Sequence, residues 1–202
     1  MINNKLDSAV NLVHVLIAPA LPAGGVAIDA TAGNGLDALF LADRVGPAGR
    51  VYAFDVQAMA LEKTKNLLAA HGAEKQVSLI NRGHEDLAQV VTEAVDAVIF
   101  NLGYLPGGDH GLITKPDTTI TALQSAINLL RPGGRIGLTV YTGHPGARNE
   151  LAALEDYAKG LSPEVFSVAQ TTFLNRSLQA PVVFLVEKAG STDEGRTARK
   201  DS

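Results

Sequence analysis

Cysteine is absent from all 202 residues, which excludes a disulfide scaffold, a thiolate metal site and a cysteine nucleophile. A surplus of positive charge is also missing. The formal net charge of −4 argues against a protein that coats nucleic acid by bulk charge, although a local basic patch stays open. The sequence shows no signal-peptide pattern and no apolar run long enough to span a bilayer. We therefore expect a cytoplasmic protein with no membrane partner.

Short apolar runs alternate with amphipathic segments along most of the chain, which contains 46% hydrophobic and 19% charged residues. The runs predict seven strands, of which the last two are antiparallel neighbours: 26–30, 51–56, 77–80, 96–100, 135–141, 166–174 and 182–188. Helices between them predict an α/β fold with a doubly wound, mostly parallel sheet. We expect one domain over residues 1–188. The small, polar and charged residues 189–202 predict a disordered tail.

A glycine-rich turn follows the first predicted strand, with the sequence Asp29-Ala-Thr-Ala-Gly33-Asn34-Gly35. Glycine lets the backbone turn sharply and approach a ligand closely. The helix that starts there offers free N–H groups. Thr31 and Asn34 can bind a carboxylate, and Asp29 can hold N–H donors of the loop. The turn is thus a candidate cofactor site.

Two further signals follow the second and third strands, where ligands bind in such sheets. Asp55 can accept hydrogen bonds from ribose hydroxyls, and Gln57 can add a contact. His84-Glu85 lies where an adenine amino group would come to rest, and Glu85 is an acceptor for it. Each signal alone also fits a plain turn or a solvated charge. Their common order along the βαβ pattern favours an adenosine-containing cofactor.

Dinucleotide cofactors are the main rival for this site. Their G-x-G-x-x-G pattern is met only as Gly33-Asn34-Gly35 with Ala38 in the third position. Asn34 and Asp37 place polar groups where a pyrophosphate needs backbone and little negative charge. A P-loop of the form G-x-x-x-x-G-K-[ST] is absent.

The loop after the fourth strand has the chemistry expected at an acceptor site. Asn101 can accept a hydrogen bond from an amine N–H, Tyr104 can stack on a base, and Asp109 can hold a cationic amine. The loop partly resembles the (Asp/Asn/Ser)-Pro-Pro-(Tyr/Phe) motif of amino-group methyltransferases, with Leu102 and Gly103 in place of the prolines. Three more residues complete the predicted acceptor side: Leu105, Tyr141 and His144. His144 can orient the substrate or accept a proton, and it can equally be a polar loop residue.

Four segments together resemble one family: DATAGNGLDALFLA, FDVQ, NLGYLPGGDH and YTGHPG. It is the rRNA methylase family, whose characterised members are the bacterial tRNA 5-aminomethyl-2-thiouridine methyltransferases. The similarity extends from about residue 8 to about residue 188. This chain has Ala32 where relatives often carry cysteine, and His110 where some carry lysine.

The resemblance implies a Rossmann-like class I methyltransferase fold, S-adenosylmethionine as cofactor and a homodimer. No ligand cluster in the sequence suggests a metal, so we expect none. The reaction that the resemblance implies is methyl transfer to the aminomethyl nitrogen of the wobble uridine, in the anticodon region of tRNA. On the cofactor side it implies Asn34, Asp37, Asp55, Gln57, His84 and Glu85. On the substrate side it implies Asn101, Tyr104, Asp109, Tyr141 and His144.

Two alternatives to this function stay open. One is a methyltransferase that acts on rRNA or on a small-molecule amine, which the pI of about 5.7 mildly favours. Cationic residues that could contact RNA are scattered in the sequence: Arg82, Lys115, Arg131, Arg148 and Arg176. The other is a non-catalytic protein that retains the cofactor pocket. The presence of Asp55 and of the complete NLGYLPGGD loop argues against a protein that has lost its catalytic residues.

Overall fold

A computed structural model describes residues 8–103, 113–177 and 179–190. Its centre is a seven-stranded sheet in the order β3-β2-β1-β4-β5-β7-β6. The strands are β1 Val26–Asp29, β2 Arg50–Phe54, β3 Val77–Ile80, β4 Val95–Leu102, β5 Leu130–Val140, β6 Phe166–Thr171 and β7 Val182–Lys188. Strand β7 pairs antiparallel with both β5 and β6, whereas the other pairs are parallel. The predicted mostly parallel sheet with one antiparallel strand is confirmed.

Helices cover both faces of the sheet. They are α1 Ala9–Ile17, α2 Leu36–Val45, α3 Ala58–His71, α4 Leu87–Val90, α5 Pro116–Leu129 and α6 Ala147–Lys159. The first three contribute Val13, Leu41 and Leu68 to the core on one face. The other three contribute Leu87, Leu123 and Leu154 to the core on the opposite face. Residues 95–100 of β4 are buried between these layers, as expected for a central parallel strand. Among the described residues, no helix is long and apolar enough to cross a membrane.

The start of β5 differs from the sequence prediction. The spacing of Ile120, Leu123, Ile127 and Leu130 predicts a helix, and the Arg131-Pro-Gly-Gly sequence predicts a break before a strand that begins at Arg135. Instead, α5 ends at Leu129, and Leu130 is already extended and pairs with Val95. The next register pair joins Arg135 to Ala97, so the predicted break is an irregularity inside the β4–β5 ladder. Gly133, with φ +79°, allows this excursion because it has no Cβ.

One buried carboxylate, that of Asp96, joins the amino ends of three strands. Asp96 Oδ2 accepts a hydrogen bond from the backbone N–H of Val26 at 2.8 Å. Asp96 Oδ1 accepts from Arg131 at 3.1 Å. The amino ends of β1, β4 and β5 are thereby tied together. The carboxyl ends, where the candidate site residues lie, are left free to form a cleft.

Candidate functional site

A cleft of about 880 Å³ opens at the carboxyl ends of the parallel strands. Its wall includes most residues that the sequence assigned to a cofactor or an acceptor. They are Thr31, Gly33, Asn34, Asp37, Asp55, Gln57, His84, Glu85, Asn101, Tyr141 and His144. The sheet topology therefore brings the predicted residues of five separate loops to one place. Among the described residues, no group of three or more His, Asp or Glu side chains has a metal-binding arrangement.

Asp55 holds the glycine-rich turn in place. Its Oδ2 accepts from the Gly33 N–H at 2.9 Å, and its Oδ1 accepts from the Gln57 N–H at 2.8 Å. From α3, the Thr64 hydroxyl donates to the Gly33 carbonyl at 3.2 Å. Each carboxylate oxygen can accept more than one hydrogen bond. Asp55 can therefore fix the turn and still bind hydroxyl donors of a ligand.

Asp29 and Gly35 lie beneath the cleft wall rather than on it. Asp29 is fully buried and accepts from the Thr31 N–H at 3.1 Å. Its burial, together with the negative charges of Asp37 and Asp55, raises the pKa of Asp29 well above its usual value, although the bond from Thr31 opposes this shift. Gly35 has φ +85° and packs so closely on α3 that a Cβ would lie 2.9 Å from the Thr64 Cα. These two residues shape the turn from below.

Asp37, in the first turn of α2, is bonded on both carboxylate oxygens. Its Oδ1 contacts Nε2 of His14 in α1, and its Oδ2 accepts from Nδ2 of Asn101 at the end of β4. The Asn101 backbone N–H donates to the Thr31 hydroxyl at 2.8 Å. The remaining polar atom, Oδ1 of Asn101, is buried and has no hydrogen-bond partner among the described residues. Asn101 therefore offers an unused acceptor at the cleft.

His84 and Glu85 form the side of the cleft next to β3. Burial lowers the pKa of His84, although Glu85 and Glu150 oppose the shift through their charges. Nε2 of His84 is buried without a partner among the described residues. A neutral imidazole has one donor and one acceptor nitrogen, so Nε2 can serve as an acceptor. The sequence assigned an adenine contact to Glu85, and His84 Nε2 is a second candidate acceptor beside it.

The acceptor side is described only in part, because Tyr104, Leu105 and Asp109 lie outside the described residues. At its base, Gly103 approaches the segment after β5 closely. A Cβ built on Gly103 would lie 3.3 Å from the Tyr141 Cβ and 3.5 Å from the His144 Nε2. Burial, together with the charge of Asp37, raises the pKa of the Tyr141 phenol. The Tyr141 hydroxyl therefore stays protonated and can donate a hydrogen bond.

Sequence reasoning missed a buried anchor for this loop. Thr114 lines the cleft, and its N–H donates to the Gly103 carbonyl at 3.0 Å. Glu150 of α6 is buried and accepts from the hydroxyls of Thr114 at 2.9 Å and Thr119 at 2.7 Å. A charged residue inside an amphipathic helix gives no signal of such a long-range contact. Other cleft residues not assigned to the cleft from the sequence include Val10, Leu36, Val56, Arg82, Ile113, Lys115, Thr118, Gln179 and Pro181.

The strand order, the glycine-rich turn after β1 and the aspartate after β2 together define a class I methyltransferase. A sequence profile of the family described as "Putative rRNA methylase" matches residues 51–187. A crystal structure of a protein so described from Clostridium thermocellum superposes with a TM-score of 0.88 at 37% identity, covering 91% of this chain and 99% of that chain. The chain belongs to this rRNA methylase family.

Two further relatives extend the comparison. The chloroplastic tRNA (mnm(5)s(2)U34)-methyltransferase of Arabidopsis thaliana is 42% identical over 190 residues, which cover 89% of this chain and 69% of that protein. A methyltransferase from Streptococcus mutans, solved in complex with SAH, superposes with a TM-score of 0.83 at 38% identity, covering 91% of this chain and 99% of that chain. The family predicted from four sequence segments is therefore confirmed.

Proposed function

We propose that this protein transfers a methyl group from S-adenosylmethionine to the aminomethyl nitrogen of 5-aminomethyl-2-thiouridine at the wobble position of tRNA. The observation that carries the proposal is the unused acceptor of Asn101, Oδ1, on the wall of a cleft whose other side is lined by Asp55, His84 and Glu85. The name of the Arabidopsis thaliana relative supports the choice of tRNA as the acceptor.

The residues present fit the proposed cofactor. Asp55 presents carboxylate oxygens to ribose hydroxyls, and His84 Nε2 and Glu85 present acceptors to an adenine amino group. Side-chain-free Gly33 leaves room beside the turn, where Thr31 and Asn34 can bind a carboxylate. When bound, S-adenosylmethionine supplies an electrophilic methyl group on a sulfonium. The two carboxylates on the cleft wall, Asp37 and Asp55, suit a ligand of positive charge.

Asn101 orients the acceptor amine in this proposal. A neutral amine has the lone pair that must form the new N–C bond as the methyl–sulfur bond breaks and the thioether product is released, and the N–H of the amine can donate to Oδ1 of Asn101. That hydrogen bond fixes the direction of the lone pair. Positioning of this kind can contribute a large part of the rate enhancement without a strong base. Tyr104 and Tyr141 are proposed to hold the uracil ring, and His144 or Asp109 to receive the proton that the methylated amine releases.

The test is methyl transfer by the purified protein to three acceptors: tRNA that carries 5-aminomethyl-2-thiouridine, rRNA and the free nucleoside. Nucleosides from each reaction are separated and weighed by mass spectrometry. The proposal expects the methylated wobble nucleoside from tRNA only. Product from rRNA or the nucleoside would instead favour one of the alternatives. Asn101→Ala is expected to lower kcat about 100-fold, the cost of losing alignment, with cofactor affinity unchanged by calorimetry.

The homodimer and the cytoplasmic location are also proposed for this protein. The resemblance implies the dimer, and the cytoplasmic location is carried over as the expectation from the sequence. Light scattering on the purified protein measures the mass in solution, and imaging of a tagged chain in its own cells locates it. A monomeric mass over the working concentration range would contradict the dimer. The domain over residues 1–188 stays a prediction that limited proteolysis can test.

A further inference from the structure

We propose that His14 is a positioning residue, which acts through Asp37 to set the orientation of the Asn101 side-chain amide. The inference rests on the proposed function, because it assigns Asn101 to the acceptor amine. His14 is not part of the cleft wall. It belongs to α1, which precedes the 51–187 segment matched by the family profile.

The three side chains form one continuous chain of hydrogen bonds between α1, α2 and β4. Asp37 is at its centre, with Oδ1 bonded to His14 Nε2 and Oδ2 bonded to Asn101 Nδ2. Both members of the first pair are largely buried, with side-chain exposures of 14% for His14 and 8% for Asp37. The His14 ring is held by stacking on Phe40, with ring centres 3.8 Å apart and planes 4° from parallel.

This arrangement determines which end of the Asn101 amide faces Asp37. An ionised carboxylate can only accept hydrogen bonds, so the amide nitrogen must face Asp37 and the amide oxygen must face away. The backbone of Asn101 is already fixed by its bond to Thr31. Rotation about its side-chain torsions is then the only way in which the Asn101 amide can change its orientation. An inverted amide would present an N–H, which could donate only to the lone pair of the amine and would thereby occupy the electrons needed for the new N–C bond.

His14 has a specific task in this hydrogen-bond network because it binds the second carboxylate oxygen of Asp37. Asn101 Nδ2 is bonded to Oδ2, and His14 Nε2 is bonded to Oδ1. A carboxylate held at one oxygen can rotate about its Cβ–Cγ bond, whereas donors on both oxygens fix its plane. His14 Nε2 provides the second donor. Without it, the Asp37 carboxylate can rotate and the Asn101 amide loses its single orientation.

The variants His14→Phe and His14→Gln separate the donor from the packing. Phenylalanine keeps the stacking on Phe40 but has no N–H, whereas glutamine keeps a donor. With tRNA carrying 5-aminomethyl-2-thiouridine, His14→Phe is expected to lower kcat about tenfold, equal to about 1.4 kcal/mol. The KM values for cofactor and tRNA should change by less than about twofold. His14→Gln should retain most of kcat. His71→Phe, on the exposed end of α3, is the matched control and should be unchanged.

A double-mutant cycle tests whether the effect passes through Asp37. In an Asp37→Asn background, His14→Phe should lower kcat by less than about twofold further, because residues that act as one unit are not additive. An equal loss in both backgrounds would overturn the proposal. So would wild-type kcat in His14→Phe. If His14→Phe does not fold, His14→Leu replaces it in the same cycle.

A spectroscopic measurement distinguishes failure of this inference from failure of the proposed function. The side-chain amide signals of Asn101 are assigned in ¹⁵N spectra by their loss in Asn101→Ala. The wild type and His14→Gln should show one pair of signals with slow proton exchange, and His14→Phe should show shifted or broadened signals. Signals that respond in this way, without turnover on any RNA, would reject the proposed acceptor and retain the positioning role. Signals insensitive to His14→Phe would reject the positioning role.

Discussion

Gly35 should be much less tolerant of a side chain than Gly72, although both residues have a left-handed backbone. Gly35 has φ +85° and ψ 4° at the start of α2, and Gly72 has φ 68° and ψ 23° at the end of α3. A Cβ on Gly72 would meet nothing within 4 Å. A Cβ on Gly35 would lie 2.9 Å from the Thr64 Cα and 3.0 Å from its Cγ2. The two glycines thus separate the cost of conformation from the cost of contact.

The expected magnitudes follow from these two terms. A left-handed conformation costs an L-residue about 1–2 kcal/mol, so Gly72→Ala should lower the free energy of unfolding by that amount. Forcing an extra methyl group into a packed site costs about 1–3 kcal/mol more. Gly35→Ala should therefore cost about 2–5 kcal/mol in total. Both variants gain the same small stabilisation from a less flexible unfolded chain, and it cancels in their difference.

Urea denaturation of both variants measures this difference, and calorimetry measures cofactor binding by the folded fraction. Gly35→Ala should also weaken cofactor binding, because α2 and α3 must separate where Thr64 bonds to Gly33. Gly72→Ala should bind normally. Thr64→Ala should not rescue Gly35→Ala, since the closest atom is the Thr64 Cα. Equal destabilisation of the two variants, or full rescue by Thr64→Ala, would refute the close packing of the turn on α3.

Three further outcomes are expected. Asp29→Asn should raise the free energy of unfolding at about pH 8 but change it little near pH 4. The pKa of Asp29 in the folded state is raised above its ordinary value of 3.8. The stability that the neutral form of Asp29 contributes is therefore fully present below pH 3.8 and is lost as the pH rises through the folded-state pKa. Urea titrations at both pH values check this, and a pH-independent effect would contradict it. Asp55→Ala should weaken cofactor binding more than about tenfold by calorimetry, since it also frees the Gly33 and Gln57 N–H groups; unchanged affinity would remove Asp55 from the site. Glu150→Ala should lower stability by about 1–3 kcal/mol for each hydroxyl left unsatisfied, and Glu150→Gln by less; equal losses in urea denaturation would argue against hydrogen bonding as the cause.

The sheet and the location of the cleft were predictable because their signals are local. Apolar runs of strand length alternate with helical periodicity, and a parallel sheet places every following loop at one edge. The start of β5 was not predictable in the same way. Residues 131–134 contain proline and two glycines, which normally indicate a turn. Only pairing with β4 keeps Leu130 and Arg135 in one strand on either side of the irregularity.

The residues that support the site were harder to predict than the residues that line it. His14 and Glu150 stand in ordinary amphipathic helices, where a polar residue is usually solvated. Their partners are distant in sequence: Asp37 for His14, and Thr114 and Thr119 for Glu150. Nothing in the spacing of the chain indicates these pairs. In contrast, Asn101 lies at the carboxyl end of β4 and Asp55 directly follows β2, and that position alone suggests a ligand contact.

The use of carboxylates explains how an acidic cleft can be rigid and still bind a ligand. Asp55 first fixes the turn through two backbone N–H groups, and Asp37 first fixes His14 and Asn101. Asp29 is fully buried and bonds to the Thr31 N–H. Each carboxylate thus holds a part of the protein before any ligand arrives. Polar groups that are already oriented need little reorganisation during reaction, which is where electrostatic catalysis gains most. The acceptors left over, including Asn101 Oδ1, are therefore held in fixed directions.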